Sequence, residues 1–311
     1  MKKILLAVSA FSAALFSTAA NADISVSGSA NAVYVDAEGN SQGHIGGTIS
    51  FSMSTTTDGG VTISTSGQIT NDPDSNGGAG GASGMTALTF GFANGSITVA
   101  DDVSVPAGTG LVGELVGHAD SNQVTHTNDV TLATDDGSGI SASTSIGDMT
   151  LAGTYFYDGG HTNNIDGGTT TGFGASLTVP MGDMSLVVSS ASIDANGVEN
   201  NAAGGALTMT AGGGTLSLGI ETTNGDTNTT EGEAYSVAYS TTLGGSAVAV
   251  GYTGFDANSN TSSKTDVTVS QSIGGGASIF AEYSNLSGAG AAASSQTTGE
   301  GVVAVGTSVS F

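Results

Sequence analysis

The chain ends, at residues 301–311, in Gly-Val-Val-Ala-Val-Gly-Thr-Ser-Val-Ser-Phe, which alternates up to its last position. Counting back from Phe311, positions such as Val309 and Val305 are apolar, whereas intervening positions such as Ser310 are small or polar. Successive side chains of a β-strand point to opposite faces, so one face of this strand suits lipid and the other suits water. The stretch therefore predicts a membrane-spanning β-strand.

The same alternation recurs along the chain. In the segment 23–35, Ile24 and Val26 share one face, whereas Ser25 and Ser27 share the other. Sixteen strands are predicted, at 23–35, 44–55, 60–70, 85–92, 95–100, 139–146, 149–158, 171–179, 183–193, 204–210, 214–222, 233–242, 245–255, 264–273, 277–285 and 301–311.

Short and long connections alternate between these segments. The short turns are predicted at 56–59, 93–94, 147–148, 180–182, 211–213, 243–244 and 274–276. The longer polar loops are predicted at 36–43, 71–84, 101–138, 159–170, 194–203, 223–232, 256–263 and 286–300. All three prolines, Pro73, Pro106 and Pro180, fall in predicted connections. The pattern predicts an all-β fold, a transmembrane antiparallel up-and-down β-barrel with an even number of strands.

One stretch leaves the strand count open. Residues 124–134 also alternate, with Val130 and Leu132 facing away from Asp129 and Thr131. We assign the stretch to the end of the long loop or to the start of the sixth strand, and an eighteen-strand barrel remains the alternative.

The amino terminus has the pattern of a secretory signal peptide. Lys2 and Lys3 precede an apolar stretch at 4–16, and Ala20-Asn21-Ala22 matches a small-x-small cleavage site. We therefore predict a signal peptide at 1–22 and an exported barrel domain at 23–311.

Charge and cysteine content exclude several classes of function. Beyond residue 22, Lys264 is the only basic side chain against 27 carboxylates, and the chain contains no arginine and no cysteine. Such a protein repels nucleic acid and attracts cations. Without cysteine, thiol catalysis, disulfides and cysteine-ligated metal sites are excluded.

The tyrosines favour a membrane-spanning barrel, because all seven lie in predicted strands, several near a strand end where a ring can occupy the lipid headgroup region. They are Tyr34, Tyr155, Tyr157, Tyr235, Tyr239, Tyr252 and Tyr283.

The mature chain resembles the general porin family of Gram-negative bacteria, specifically the alphaproteobacterial type of sixteen-stranded diffusion porin. The resemblance rests on Asp-Ile-Ser-Val-Ser-Gly-Ser-Ala at 23–30, on the terminal Phe311 and on the outsized loop after the fifth strand. It implies an outer-membrane channel for passive diffusion of small hydrophilic solutes, assembled as a homotrimer. It also implies that Phe311 is the assembly signal for the barrel-insertion machinery.

The resemblance further implies a pore constriction. In the family, the third loop folds into the barrel, and its carboxylates face arginines on the opposite wall. The segment 101–138 is expected to contain this loop, with Asp101, Asp102, Glu114 and Asp120 as the constriction acids. The arginines of the opposite wall are missing, because the chain has no arginine. The electric field that runs across the pore in the family is therefore not expected.

Alternation also assigns charged side chains to the lumen wall, since a charge on the lipid face is costly. They are Asp129, Glu221, Lys264, Asp266 and Glu282. We expect the strand acids to point into water, with Lys264 partly neutralising Asp266. A solvated charge near a strand end is the alternative role for each acid. Carboxylates without opposing arginines predict a cation-preferring channel.

Metal-binding patterns are weak. Asp72, Asp74 and Asn76 match the first half of a calcium-binding loop, but Ser83 stands where the bidentate glutamate belongs. We predict no cofactor, with weak binding of Ca²⁺ or Mg²⁺ by outer-loop acids that bridges to lipopolysaccharide. These acids are Asp36, Glu38, Asp194, Glu199, Asp226, Glu231 and Glu233.

No motif organises serine, histidine and aspartate into a catalytic site, so an enzyme is not predicted. The alternative function is a secreted acidic all-β surface protein, either an adhesin or a surface-layer-like protein. The irregular spacing of the strands disfavours a solenoid form of that alternative.

Overall fold

The computed structural model describes residues 23–37, 40–71, 82–83, 87–100, 138–158, 170–195, 197–225, 231–257, 260–288 and 301–311. Sixteen long strands account for most of these residues. They are β1 (Asp23–Ala37), β2 (Asn40–Thr56), β3 (Thr62–Asn71), β4 (Ala87–Phe92), β5 (Gly95–Ala100), β6 (Ser138–Ile146), β7 (Met149–Asp158), β8 (Thr170–Met181), β9 (Met184–Ala195), β10 (Val198–Ala211), β11 (Gly214–Gly225), β12 (Gly232–Leu243), β13 (Ser246–Ala257), β14 (Asn260–Gly274), β15 (Ala277–Gly288) and β16 (Gly301–Ser310). A two-residue strand, Ala82–Ser83, pairs with β3.

Every strand pairs antiparallel with its neighbours in the chain, and β16 pairs with β1 to close the barrel. The described residues thus form the predicted sixteen-stranded up-and-down barrel. Strand β5 pairs directly with β6, with Ala100 opposite Gly139. No strand lies between them in the ladder of the described residues, so the eighteen-strand alternative is wrong.

Within the described ranges, no helix is long and apolar enough to cross a membrane.

Cross-strand partners share a face, and this relation divides the barrel into an outer and an inner surface. The outer surface exposes large apolar side chains around the circumference, including Ile24, Leu88, Ile140 and Val250. Their inner neighbours, such as Ser25, are mostly small or polar. The outer surface is the apolar band typical of a lipid-facing barrel.

The two ends of the barrel differ. At the turn end, β7, β9, β11, β13 and β15 each follow a two-residue turn. Gly147 and Gly182 in these turns have φ of +62° and +65°, a conformation that glycine adopts without strain. Asp23, the first described residue, and Phe311 also lie at the turn end, and the opposite end is the loop end.

Three predicted long loops at the loop end are wrong. The ladders continue to Ala37 opposite Asn40, Ala195 opposite Val198 and Ala257 opposite Asn260. Each of these connections therefore spans two residues between extended strands. These strand ends are polar on both faces, so period two gives no signal there.

Pro180 was also assigned wrongly. It lies within β8, one residue before the strand ends, opposite Ser185. Proline lacks the N–H that a ladder uses, and near a strand end it removes only a terminal hydrogen bond.

The described tyrosine side chains point outward, mostly towards the loop end. Tyr34, Tyr155, Tyr235, Tyr252 and Tyr283 are 36% to 55% exposed. The rings of Tyr235 and Tyr252 lie 6.0 Å apart, centroid to centroid. This arrangement suits the predicted interfacial girdle, where an amphipathic ring meets both lipid and water.

Candidate functional site: the lumen of the barrel

Hydroxyl groups line the lumen at the turn end. We define the hydroxyl collar as the inward-facing side chains within four residues of each turn-end strand terminus, most of which are serine or threonine. Many pair across strands. The paired oxygens include Ser25–Ser52 at 2.7 Å, Thr89–Thr98 at 2.9 Å, Ser96–Ser143 at 3.0 Å and Ser278–Ser308 at 2.7 Å. The collar is polar, and among its described members only Asp23 is charged.

Charged side chains face the lumen beyond the collar, towards the loop end. Glu221 lies on β11 opposite Ala234, Lys264 and Asp266 lie on β14, and Glu282 lies on β15 opposite Thr268. We call Glu221, Lys264, Asp266 and Glu282 the wall charges. The strand register thus brings together on one arc, β11 to β15, residues separated by up to 61 positions in sequence.

Three of the wall charges belong to one contact cluster. Lys264 Nζ lies 3.3 Å from Asp266 Oδ1. Ser284 Oγ lies 2.5 Å from Asp266 Oδ1 and 3.3 Å from Glu282 Oε1. A hydroxyl that donates to a carboxylate stabilises its charge. Sequence reasoning missed Ser284, although its register opposite Asp266 follows once β14 and β15 are paired.

The wall charges are buried, contrary to the expectation that the strand acids point into water. The exposed fraction is 2% for Glu221 and Lys264, 3% for Asp266 and 9% for Glu282. Burial of a charge is costly unless ion pairs and hydrogen bonds compensate for lost hydration. The ion pair and the Ser284 hydroxyl supply part of that compensation.

Neighbouring inward side chains are buried as well. They include Val33 and Val35 on β1, Thr253 on β13, and Val302 and Ala304 on β16. A barrel of sixteen strands is wide enough to leave an aqueous channel, which would expose inward side chains. The inward side chains on the loop side of the collar are instead shielded from solvent, and this region is the candidate constriction.

Several predicted residues lie outside the described residues. They are the signal peptide at 1–22, the constriction acids Asp101, Asp102, Glu114 and Asp120, the wall residue Asp129, the weak calcium candidates Asp72, Asp74 and Asn76, and the outer-loop acids Glu38 and Asp226. The strand ends that flank 101–137 are described, and inward-facing Ala100 is buried there.

Phe311, the predicted assembly residue, closes the barrel seam. Its backbone exchanges hydrogen bonds with Gly28, at 2.8 Å from Gly28 N to Phe311 O and 3.0 Å from Phe311 N to Gly28 O. A Cβ atom at Gly28 would lie 2.5 Å from the Phe311 ring. The ring thus occupies space that only glycine leaves free on β1.

Among the described residues, no group of three or more histidine, aspartate or glutamate side chains is placed to hold a metal ion.

Comparisons with known proteins agree with this architecture. The family model described as Gram-negative porin matches residues 7–303. A porin structure refined at 1.8 Å resolution aligns with a TM-score of 0.69 and 17% identity, covering 93% of this chain and 100% of that chain. A triple mutant of Rhodopseudomonas blastica porin aligns with a TM-score of 0.65 and 16% identity over the same shares. No curated protein sequence matches this chain.

Proposed function

The chain belongs to the Gram-negative porin family, and from that membership we propose that it forms a cation-preferring diffusion channel. As a porin it resides in the outer membrane and lets small hydrophilic solutes pass by diffusion. Family and fold point to a channel rather than an enzyme or a secreted surface protein.

The observation that carries the cation preference is the sign of the wall charges. Three carboxylates and one ammonium face the lumen, and the ammonium of Lys264 is paired with Asp266. The formal charge of the four groups is therefore 1 − 3 = −2. Two carboxylates about 8 Å from a monovalent ion contribute about 1 kcal/mol in water, a preference of roughly fivefold.

We propose that the 101–138 segment adds Asp101, Asp102, Glu114 and Asp120 to the constriction. Two observations support this proposal. The segment connects β5 and β6 at the loop end, and the inward side chains on the loop side of the collar have little exposure. The same proposal assigns Asp129 to the lumen wall.

The proposed partners follow from the family and the charge. We propose a homotrimer, insertion by machinery that recognises Phe311, and contact between the acidic loop end and lipopolysaccharide. Weakly bound Ca²⁺ or Mg²⁺ bridges the two anionic surfaces, with Asp72, Asp74 and Asn76 as one candidate site.

Reversal potentials in planar bilayers across a KCl gradient test the cation preference. We expect a cation-selective channel in dilute KCl. The selectivity falls in concentrated KCl, because the Debye length shortens from about 8 Å at physiological salt to about 3 Å at 1 M. An anion-selective channel would refute the proposal.

Two variant sets locate the charges that select ions. Glu221→Gln with Glu282→Gln tests the wall, and Asp101→Asn, Asp102→Asn, Glu114→Gln and Asp120→Asn together test the long segment. Each set lowers the selectivity if its acids face the ion path. Asp58→Asn, in an exposed turn, is the control and leaves the selectivity unchanged.

A further inference from the structure

The charged side chains that face the lumen are distributed unequally along the pore axis. The wall charges lie beyond the hydroxyl collar, towards the loop end. The described part of the collar contains no charged residue except Asp23 at the rim. A permeating ion therefore crosses a negatively charged zone and an uncharged hydroxyl zone in series.

The rims extend this asymmetry. Among the described side chains, six carboxylates lie within two residues of a loop-end strand terminus, namely Asp36, Asp194, Glu199, Glu231, Glu233 and Asp256. The turn end has four, namely Asp23, Asp58, Asp148 and Asp183. The rim charges and the wall charges thus have the same polarity along the axis.

When a charged zone and a neutral zone lie in series, the conductance of the pore differs between the two signs of the voltage. In the charged zone cations carry most of the current, whereas in the neutral zone cations and anions share it. When the loop side is positive, cations reach the junction faster than the neutral zone removes them, and anions arrive from the turn side. Both ions accumulate and conductance rises. Reversed voltage depletes both ions and lowers conductance.

We propose that this channel rectifies, passing more current when the loop end is positive than when it is negative. The proposal rests on the proposed cation preference. It adds that the charges that select cations lie on the loop side of the hydroxyl collar. Rectification depends on screening, since the charges act across the lumen only when the Debye length is comparable to the pore radius.

Single-channel current–voltage curves with known orientation test the proposal. The chain has no cysteine, so Ala93→Cys in a turn-end connection gives a unique site for a membrane-impermeant thiol reagent. Block by reagent from one chamber identifies the turn side. The wild-type current ratio between +100 and −100 mV, loop side positive over loop side negative, should exceed about 1.2 in 0.1 M KCl and approach 1 in 1 M KCl.

Two double variants separate the position of charge from its amount. Glu221→Gln/Glu282→Gln removes charge beyond the collar and should lower both the cation selectivity and the current ratio. Ser66→Asp/Ser240→Asp adds charge to the collar at two exposed inward positions. It should raise the cation selectivity while lowering the ratio. The two double variants should thus change the cation selectivity in opposite directions but both lower the current ratio. Only an asymmetry of charge along the pore axis predicts this combination.

Separate outcomes overturn this inference and the proposed function. A cation-selective wild type with equal currents overturns only the rectification, as does a larger current with the loop side negative. An increased ratio in Ser66→Asp/Ser240→Asp also overturns it. A wild type that is not cation-selective overturns the proposed function itself.

Discussion

The turn-end and loop-end halves of this barrel share one outer surface but differ inside. Outward side chains are apolar in both halves, as Val309 near the turns and Val303 near the loops illustrate. Inside, hydroxyl groups pair with one another near the turns, whereas buried charges pair near the loops. Lipid contact constrains the outer face across the membrane-spanning part of the strands, but the inner face is free to vary with its function.

The two halves should therefore respond differently to loss of one polar partner. A hydroxyl pair in the collar loses one hydrogen bond, and nearby water can replace it. A charge lost from the wall leaves its partner buried without its counter-charge. The predictions below test this difference, from the largest expected effect to the smallest.

Lys264→Met should destabilise the barrel most. It leaves the Asp266 carboxylate buried without its ammonium, which costs about 3–5 kcal/mol of unfolding free energy. Ser278→Ala, which breaks the Ser278–Ser308 pair in the collar, should cost about 0.5–1.5 kcal/mol. Urea titration of barrels refolded in lipid vesicles, followed by the gel shift between unheated and boiled samples, measures both.

A paired replacement serves as control for Lys264. Lys264→Met with Asp266→Leu removes both charges and should recover much of the lost stability. Equal losses for Lys264→Met and Ser278→Ala would contradict the contrast between the halves.

Closure at the turn end should depend on the fit of Phe311 to Gly28. Gly28→Ala places a methyl group against the ring and should cost about 1–2 kcal/mol in the same titration. Gly153→Ala, where the added Cβ makes only ordinary contact with the Gly174 carbonyl at 3.6 Å, is the matched control.

Deletion of Phe311 separates seam packing from recognition. The deletion removes both the packing and the proposed assembly signal, whereas Gly28→Ala keeps the terminal residue. We expect the deletion to lower the amount of folded protein in the outer membrane more than Gly28→Ala does. Equal assembly of the deletion and the wild type would refute a role for Phe311.

An effect as small as that of Ser278→Ala is expected at Tyr239. Its hydroxyl lies 3.2 Å from the carbonyl oxygens of Ala211 and Gly212, and so ties β12 to the neighbouring turn. Tyr239→Phe should cost about 0.5–1.5 kcal/mol. A loss as large as that of Lys264→Met would show that turn-end contacts carry more stability than the wall cluster.

The fold was predictable because lipid imposes a local rule on the sequence. Ile24, Val26 and Ser25 reveal their faces by alternation alone, and the short turns mark the strand boundaries at the turn end. The alternation of apolar and polar residues is absent at the loop end, where both faces of the strands are polar. For this reason the hairpins at Ala37, Ala195 and Ala257 were mistaken for long loops.

The lumen was less predictable because its contacts depend on the register between neighbouring strands. Alternation places Asp266 and Glu282 on the inner face, but only the register between β14 and β15 sets Ser284 beside both. Alternation also cannot distinguish an exposed inward side chain from a buried one, so it does not predict the low exposure of Glu221 and Lys264.

The sequence by itself determined the family, the outward face and the excess of carboxylates over basic residues, but it left sixteen and eighteen strands open. Each follows from composition or from the period of two that a strand between lipid and water requires. The tertiary structure alone decided the closure of Phe311 on Gly28 and the burial of the wall charges. Both depend on strand register and barrel curvature, which bring together residues whose separation along the chain carries no signal.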